Sequence, residues 1–465
     1  MKRIVVVVFI LSSLWITPAK ASLAGRINKI IQSKNKIRFG IRIVNAKTGR
    51  AVYEHNPRTP LTPASNMKIV TSAAALSYLG ADFNYTTEVG LVGNTLVLIG
   101  SGDPLLGDQS SDELLGRSEG WLFDSLSSAL REAGVETVNG LLVDSTVFDD
   151  ERVHPNWPES ELNRDYSCEV CGVNYNGNTI GMVVSKEGNR VAVAIEPKTS
   201  FVVIENQVRS ITSGSGAVGA YRVPGKPNVL TVKGKCRKRQ GPFNVAIEKP
   251  AAFLGYLLAE QLTERGIQFT GQFVEKRYVP DQHFRPLVSF KTPLTLCLKR
   301  CNTDSFNLAA ECLAKTIGAQ VNQGRDGSWD LAREQIGQYL QGLGLDPDEY
   351  VLDDASGLSR ENKLSARVLS TVLYAVYTSP NWPLYKNTLA TGGVEGTLDG
   401  EFRETRYKGR VCGKTGYINR VRAFSGVCET DRGDYLFAIL ANDANGIKSL
   451  VNGIAKAVMD EYRDQ

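Results

Sequence analysis

A chain of 465 residues that is 42% hydrophobic and 22% charged is too apolar to be disordered and too mixed to be fibrous. Its 54 Lys and Arg against 49 Asp and Glu give a net charge of +5, and three of the positive residues (Lys2, Arg3, Lys20) fall in the first twenty-one positions. Without them the balance is +2, which excludes the chain-wide basic excess of a nucleic-acid-binding protein, and the length allows about three domains of roughly 150 residues.

Residues 1–21 read as an export signal. Lys2-Arg3 is a short positive start, Ile4 to Ile16 is apolar apart from Ser12 and Ser13, and Ala19-Lys20-Ala21 supplies a small-x-small cleavage pattern. An apolar stretch of about thirteen residues falls short of the roughly 20 that span a bilayer, which favours cleavage after Ala21 over an anchor. The mature chain is expected to be periplasmic or secreted, with no membrane span.

Next comes a short helix, then strands over Phe39–Val44 and Ala51–Tyr53 joined by the polar turn Lys47-Thr48-Gly49-Arg50. Asn66 to Leu79 reads as a helix stopped by Gly80; it is apolar nearly all round, which argues for burial in a core. From about 85 to 280, short β-branched runs alternate with Gly-rich turns, interrupted by helices at Trp121–Ala133 and Ala251–Arg265. From about 290 the chain is helical again, at Thr292–Arg300, Asn307–Ile317, Trp329–Gln341 and Ser365–Thr378. Strands follow at Val411–Tyr417, Ala423–Cys428 and Leu436–Leu440, then an amphipathic helix without a basic bias, expected to pack on a sheet.

Eight cysteines are an even number in a disulfide-permissive compartment. Cys168-Glu-Val-Cys171 lacks a second ligand pair for zinc and a strand–helix context for redox work, so a structural bridge or buried thiols are expected. Cys412 and Cys428 are symmetric about residue 420, in the polar turn Asn419-Arg420, so a hairpin folded there is expected to bring them opposite each other as a disulfide.

Three motifs occur in order: Ser65-Asn66-Met67-Lys68 (S-x-x-K), Ser305-Phe306-Asn307 (S-x-N) and Lys414-Thr415-Gly416 (K-T-G), the set of serine penicillin-recognising enzymes. Each recurs by chance: Ser33-Lys34-Asn35-Lys36 fits the first, Ser379-Pro380-Asn381 the second, Lys47-Thr48-Gly49 the third. Context separates them, because Ser65 alone opens a buried helix. There Lys68 lies one turn on, on the same face. The helix N-terminus favours a serine alkoxide and disfavours a protonated lysine, and a nearby Lys414 pushes Lys68 further toward the neutral base. Ser305 begins another helix, as a loop-borne proton shuttle would. Gly413 and Gly416 would let a substrate backbone approach the Lys414 strand. Competing designs fail: no G-x-S-x-G elbow occurs, His55, His154 and His283 lie in polar surroundings, and Gly214-x-Gly216-x-x-Gly219 is not followed by a helix.

At these residues the chain resembles the type-4 D-alanyl-D-alanine carboxypeptidases/endopeptidases, which are low-molecular-mass penicillin-binding proteins. Thr62-Pro63-Ala64-Ser65, Gly100-Ser101-Gly102-Asp103-Pro104, Asp353 to Arg360 and Gly396-Thr397-Leu398 are similar to further signatures of that family. The resemblance implies an α/β (α+β) transpeptidase/β-lactamase-like domain with an antiparallel sheet and helices, split by inserted β-rich domains. The implied boundaries are 22–85 and 286–465 for that domain, 86–184 and 246–285 for one insert, and 185–245 for an inner one. It implies Ser65 as acyl-enzyme nucleophile, Lys68 as its base, Ser305 as proton relay and Asn307 as binder of the substrate amide. Lys414 and Thr415 would hold the terminal carboxylate beside Gly416, and the amides of Ser65 and Tyr417 would form the oxyanion hole. Phe306 and Tyr417 depart from the family pattern. Peptidoglycan stem peptides are the implied substrate and β-lactams the covalent inhibitors, with no metal, organic cofactor or nucleic acid. A related serine esterase or β-lactamase, or a non-catalytic cell-wall-binding protein, are the alternatives.

Overall fold

A six-stranded antiparallel sheet runs in the order Ala390–Thr391, Val411–Ile418, Val421–Thr430, Gly433–Asn442, Arg38–Asn45, Ala51–His55. Both faces are covered. In the Gly433–Asn442 strand, Leu436, Ala438 and Leu440 enter one core while Phe437, Ile439 and Ala441 enter another, so the strand reads as an unbroken apolar run. The first core gathers the helices Met67–Leu79, Leu294–Asn302, Asn307–Val321, Trp329–Gly342 and Ala366–Tyr377; the second gathers Leu23–Gln32 and Lys448–Glu461. The last helix thus packs on the sheet, as its mixed polar face suggests. The computed structural model describes residues 22–34 and 36–464, so the export-signal segment and Asn35 of the early S-x-x-K match lie outside it. No helix of the described residues is long and apolar enough to cross a membrane.

Between the two halves of this layered unit stands a five-stranded mixed sheet, ordered Phe273–Glu275, Gly140–Asp144, Thr95–Ile99, Asn84–Val92, Arg285–Pro293, with the helices Trp121–Glu132 and Pro250–Glu264 in its core. From it emerge two three-stranded sheets. One is Gln240–Ala246, Thr179–Glu187, Arg190–Glu196; the other is Val218–Val223, Lys226–Cys236, Val203–Ser210. The fold is the mixed α/β class expected.

One expectation fails here for a local reason. All eight cysteines are free and buried, and Cys412 is not bridged to Cys428. The hairpin closes through a two-residue turn, pairing Ile418 with Val421, so Cys428 faces Val411 and Cys412 faces Val427. A one-residue offset reverses the side-chain face: Cys412 enters the first core and Cys428 the second. His154 has the polar neighbours expected, the Asp353 carbonyl at Nε2 and the Asn156 amide donating to Nδ1, both at 3.2 Å, but within a buried aromatic cluster. It is 1% exposed and stacks edge-on to Trp329 at 4.9 Å.

Candidate active site

Ser65 lies in a single 3-10 turn, Ala64–Asn66, that feeds the Met67–Leu79 helix. Ala64 is held at φ 46°, a left-handed conformation costly for a side chain bearing Cβ, and the surrounding packing has to impose it. Asn66 anchors the turn by donating from Nδ2 to the Lys414 carbonyl (3.2 Å) and Ser425 Oγ (3.4 Å). Gly416 lets the strand come alongside: a Cβ there would stand 2.8 Å from the Pro63 carbonyl and 3.2 Å from the Ser65 amide nitrogen. Gly413 likewise faces the Ser425 backbone at 2.5 Å. At both glycines the side that a Cβ would occupy is taken by the protein's own backbone.

Lys68 has no solvent exposure. Its Nζ lies 3.4 Å from Ser65 Oγ, 2.6 Å from Asn307 Oδ1 and 2.9 Å from the Ser356 carbonyl. Burial pulls its pKa below the ordinary 10.5, against the nearby Cys301, Glu311 and Asp354, which pull it up. Lys414, equally buried, is driven well down, first by burial and then by the Lys68 charge, and its Nζ donates to the Thr415 carbonyl at 3.0 Å.

Ser305 takes φ 63° in the bend before the Asn307–Val321 helix. The Asn307 amide is used at both ends, accepting from Lys68 and donating to the Tyr166 carbonyl at 2.7 Å. Phe306 turns away to lie under the Arg300 guanidinium (5.2 Å) and beside Gly177, so its bulk does not enter the cleft. Tyr417 is 62% exposed, with Arg422 over its ring. Thr415 Oγ1 bonds Thr397 Oγ1 at 2.9 Å, and the Thr397 amide donates to the Thr303 carbonyl, tying the third motif to the turn that precedes the second.

A cleft of about 710 Å³ opens over Ser65, Ser305, Asn307 and Tyr417. Its far wall holds Asn156, Glu161, Tyr166, Arg360 and Glu361. The three motifs, some 350 residues apart at their extremes, therefore converge on one site. The Gly100–Pro104 turn does not line it. Asp103 is buried against Thr292 Oγ1 at 2.6 Å, its pKa pushed up to about 6 chiefly by burial.

The three motifs do not announce the layer that holds Lys68 in place. Glu311 is fully buried; its carboxylate accepts from the amides of Ala355 and Ser356 (3.1 and 2.8 Å) and from Trp329 Nε1 (2.8 Å). It thereby fixes the loop whose Ser356 carbonyl touches Lys68. Burial, then the Asp354 charge, pushes its pKa up to about 7. Asp354 in turn accepts from Trp157 Nε1 and from the amides of Gly357 and Ser359. The available signal was a lone carboxylate one turn after Asn307 in an otherwise apolar helix segment, Leu308 to Ala314.

A half-buried serine beside a fully buried lysine at a helix start, faced by a K-T-G strand, defines a serine hydrolase of the transpeptidase-like fold. Residues 23–464 match the D-Ala-D-Ala carboxypeptidase 3 (S13) family, and the chain belongs to it as a serine-type peptidase of the carboxypeptidase class. It is 30% identical over 452 residues to the D-alanyl-D-alanine carboxypeptidase of Actinomadura sp. (strain R39), spanning 91% of this chain and 81% of that protein. Its fold matches penicillin binding protein 4 of Haemophilus influenzae (TM-score 0.79, 22% identity, 94% and 99% of the two chains). A more distant likeness is a predatory peptidoglycan endopeptidase of Bdellovibrio bacteriovorus, with TM-score 0.53, 16% identity, and 92% and 94% coverage.

Proposed function

We propose that the chain is an exported DD-peptidase of peptidoglycan metabolism that works through a Ser65 acyl-enzyme. It would attack a stem peptide ending in D-Ala-D-Ala, or a D-Ala cross-link, release the C-terminal amine and hydrolyse the ester. The observation that carries this is the coordination of Lys68. A neutral amine has two N–H donors and one lone pair, matching two acceptors, Asn307 Oδ1 and the Ser356 carbonyl, and one hydroxyl, Ser65. Lys68 would take the Ser65 proton and Ser305 would relay a proton to the leaving amine. Asn307 would hold the substrate amide, Lys414 and Thr415 the terminal carboxylate, and the amides of Ser65 and Tyr417 the developing oxyanion. The domain boundaries set out above, with 22–85 and 286–465 bearing the site, belong to the same reading.

β-lactams are expected to acylate Ser65. A relative's structure, that of penicillin binding protein 4 from Haemophilus influenzae, is described as complexed with a β-lactam (TM-score 0.75, 21% identity). Labelling with fluorescent penicillin tests the assignment. The parent should take up one covalent label that Ser65→Ala loses while keeping its fold, and a stable adduct on that variant would show the nucleophile to be another residue. Rapid turnover of free penicillin would indicate a β-lactamase, and no labelling at all a binding protein. Weighing the products of a muropeptide digest then separates carboxypeptidase from endopeptidase action.

A further inference from the structure

Net charge is distributed unevenly. The inner region 185–245 contains eleven Lys and Arg against three Glu, a net +8 where the whole chain is +5, so everything else sums to −3. The strand register sorts these charges to one end. Thr179 pairs with Ala246 where the two sheets join the rest of the molecule, and Gln240 pairs with Val184 farther out. The tip Glu187–Arg190 lies beyond that, and Cys236 meets Ser210 at the same outer level. The turns 187–190, 210–217 and 236–240 therefore share the end of the sandwich remote from the body.

Arg190, Arg209, Lys235, Arg237, Lys238 and Arg239 stand there, all exposed, and Lys235 is the ladder partner of Arg209. Among the described residues none of the six is in an ion pair; the region's one paired cation is Arg222, with Glu248 at 3.9 Å. Glu187 is the single acid in those turns. Six unneutralised cations on adjacent strand ends repel one another, a cost that an anionic partner removes.

We propose that this end of the inner sandwich docks the protein on an anionic phospholipid surface, with the headgroup phosphodiesters as ligand. The three turns share one end of the sandwich, with the Glu187–Arg190 tip reaching past the other two. They contain no aromatic residue on which a sugar or base could stack. Gly188, Gly214 and Gly216 keep their profile low. The opposite charge of the remaining chain turns the molecule so that this end faces a negative surface. Each cation at such a surface is worth about fivefold in affinity. The inference does not depend on the acyl-enzyme reading.

Co-sedimentation of the mature full-length protein with vesicles of phosphatidylglycerol and phosphatidylcholine, against phosphatidylcholine alone, tests it. Binding should require the anionic lipid and disappear at high salt. Joint replacement Arg237→Ser, Lys238→Ser and Arg239→Ser should weaken it on the order of 100-fold. Penicillin labelling, a check that the variant is folded, should stay unchanged. Removing three body charges instead (Lys29→Ser, Lys34→Ser, Lys36→Ser) should leave vesicle binding as it is. Equal binding by parent and hairpin variant, or binding to neutral vesicles, overturns the proposal. So does loss of binding to isolated peptidoglycan with vesicle binding intact, which would make the ligand a wall polymer.

Discussion

Two lysines without solvent exposure, Lys68 and Lys414, lie close enough for the charge of one to depress the pKa of the other. Each is held below its ordinary 10.5, so the unfolded chain binds these protons more tightly than the folded one. Stability therefore rises with pH from the depressed values up to 10.5, and near neutrality the pair costs stability. Lys414→Met removes a buried cation whose one protein hydrogen bond is to the Thr415 carbonyl. We expect its melting temperature at pH 7 to rise by about 2 °C or more, with the gain shrinking toward pH 10, while penicillin acylation slows on the order of 100-fold. A thermal scan in which the variant melts at or below the parent at pH 7 refutes this account. In the parent, acylation should climb with pH through a midpoint below 10.5, and a rate flat from pH 5 to 9 removes Lys68 as the base. Glu311→Gln deletes a charge that favours protonated Lys68, so stopped-flow acylation should show that midpoint moved downward. At this scale the sequence made the motif residues legible, because their spacing is itself a chemical requirement. Glu311 and Ser356 were not legible as the support of Lys68, since they act through a loop whose path only the fold supplies.

Among the elements, the approach of the Lys414 strand to the Ser65 turn is set by backbone clearance. At Gly357, φ is +83° and a Cβ would meet the Ala64 carbonyl at 1.9 Å, so Gly357→Ala must displace either the Ser65 turn or the Ser356 loop. Its penicillin labelling should fall at least about tenfold, with thermal stability down by roughly 1–3 kcal/mol; unchanged labelling would show that the two loops move independently. Helices and strands were legible here because periodicity and glycine stops are local. Ser65 was expected to open the α-helix and instead occupies a 3-10 turn, with Ala64 forced to positive φ by its neighbours. The hairpin register differs from the expected one by one residue. Symmetry about residue 420 differs from a two-residue Asn419-Arg420 turn by half a step, and that half step puts the thiols on opposite faces. Non-reducing peptide mapping should accordingly find Cys412 and Cys428 both free and alkylated only after unfolding.

Across the whole molecule, composition concealed two arrangements. A nearly balanced charge averaged over a basic inner sandwich and an acidic remainder. The inserted segments, legible only as β-rich, also complete the site. Tyr166 supplies the carbonyl that orients Asn307, Asn156 binds the Asp353 carboxylate at 3.0 Å, and Lys315 pairs with Asp149 under the Trp329 ring. Trp157 is the buried link among these, its indole N–H donating to Asp354 Oδ2 at 2.9 Å in the loop that carries Ser356. Trp157→Phe keeps a ring in the pocket and deletes only the donor. Because the acceptor is a buried carboxylate, the loss should be about 1–3 kcal/mol of stability. If the insert positions the loop, acylation of Ser65 should slow as well, because a looser Asp354 frees the Ser356 carbonyl that holds Lys68. Chemical denaturation and single-turnover labelling on the same preparation separate the two effects. A variant that loses stability yet acylates at the parental rate would mean that the insert braces the fold without tuning the site.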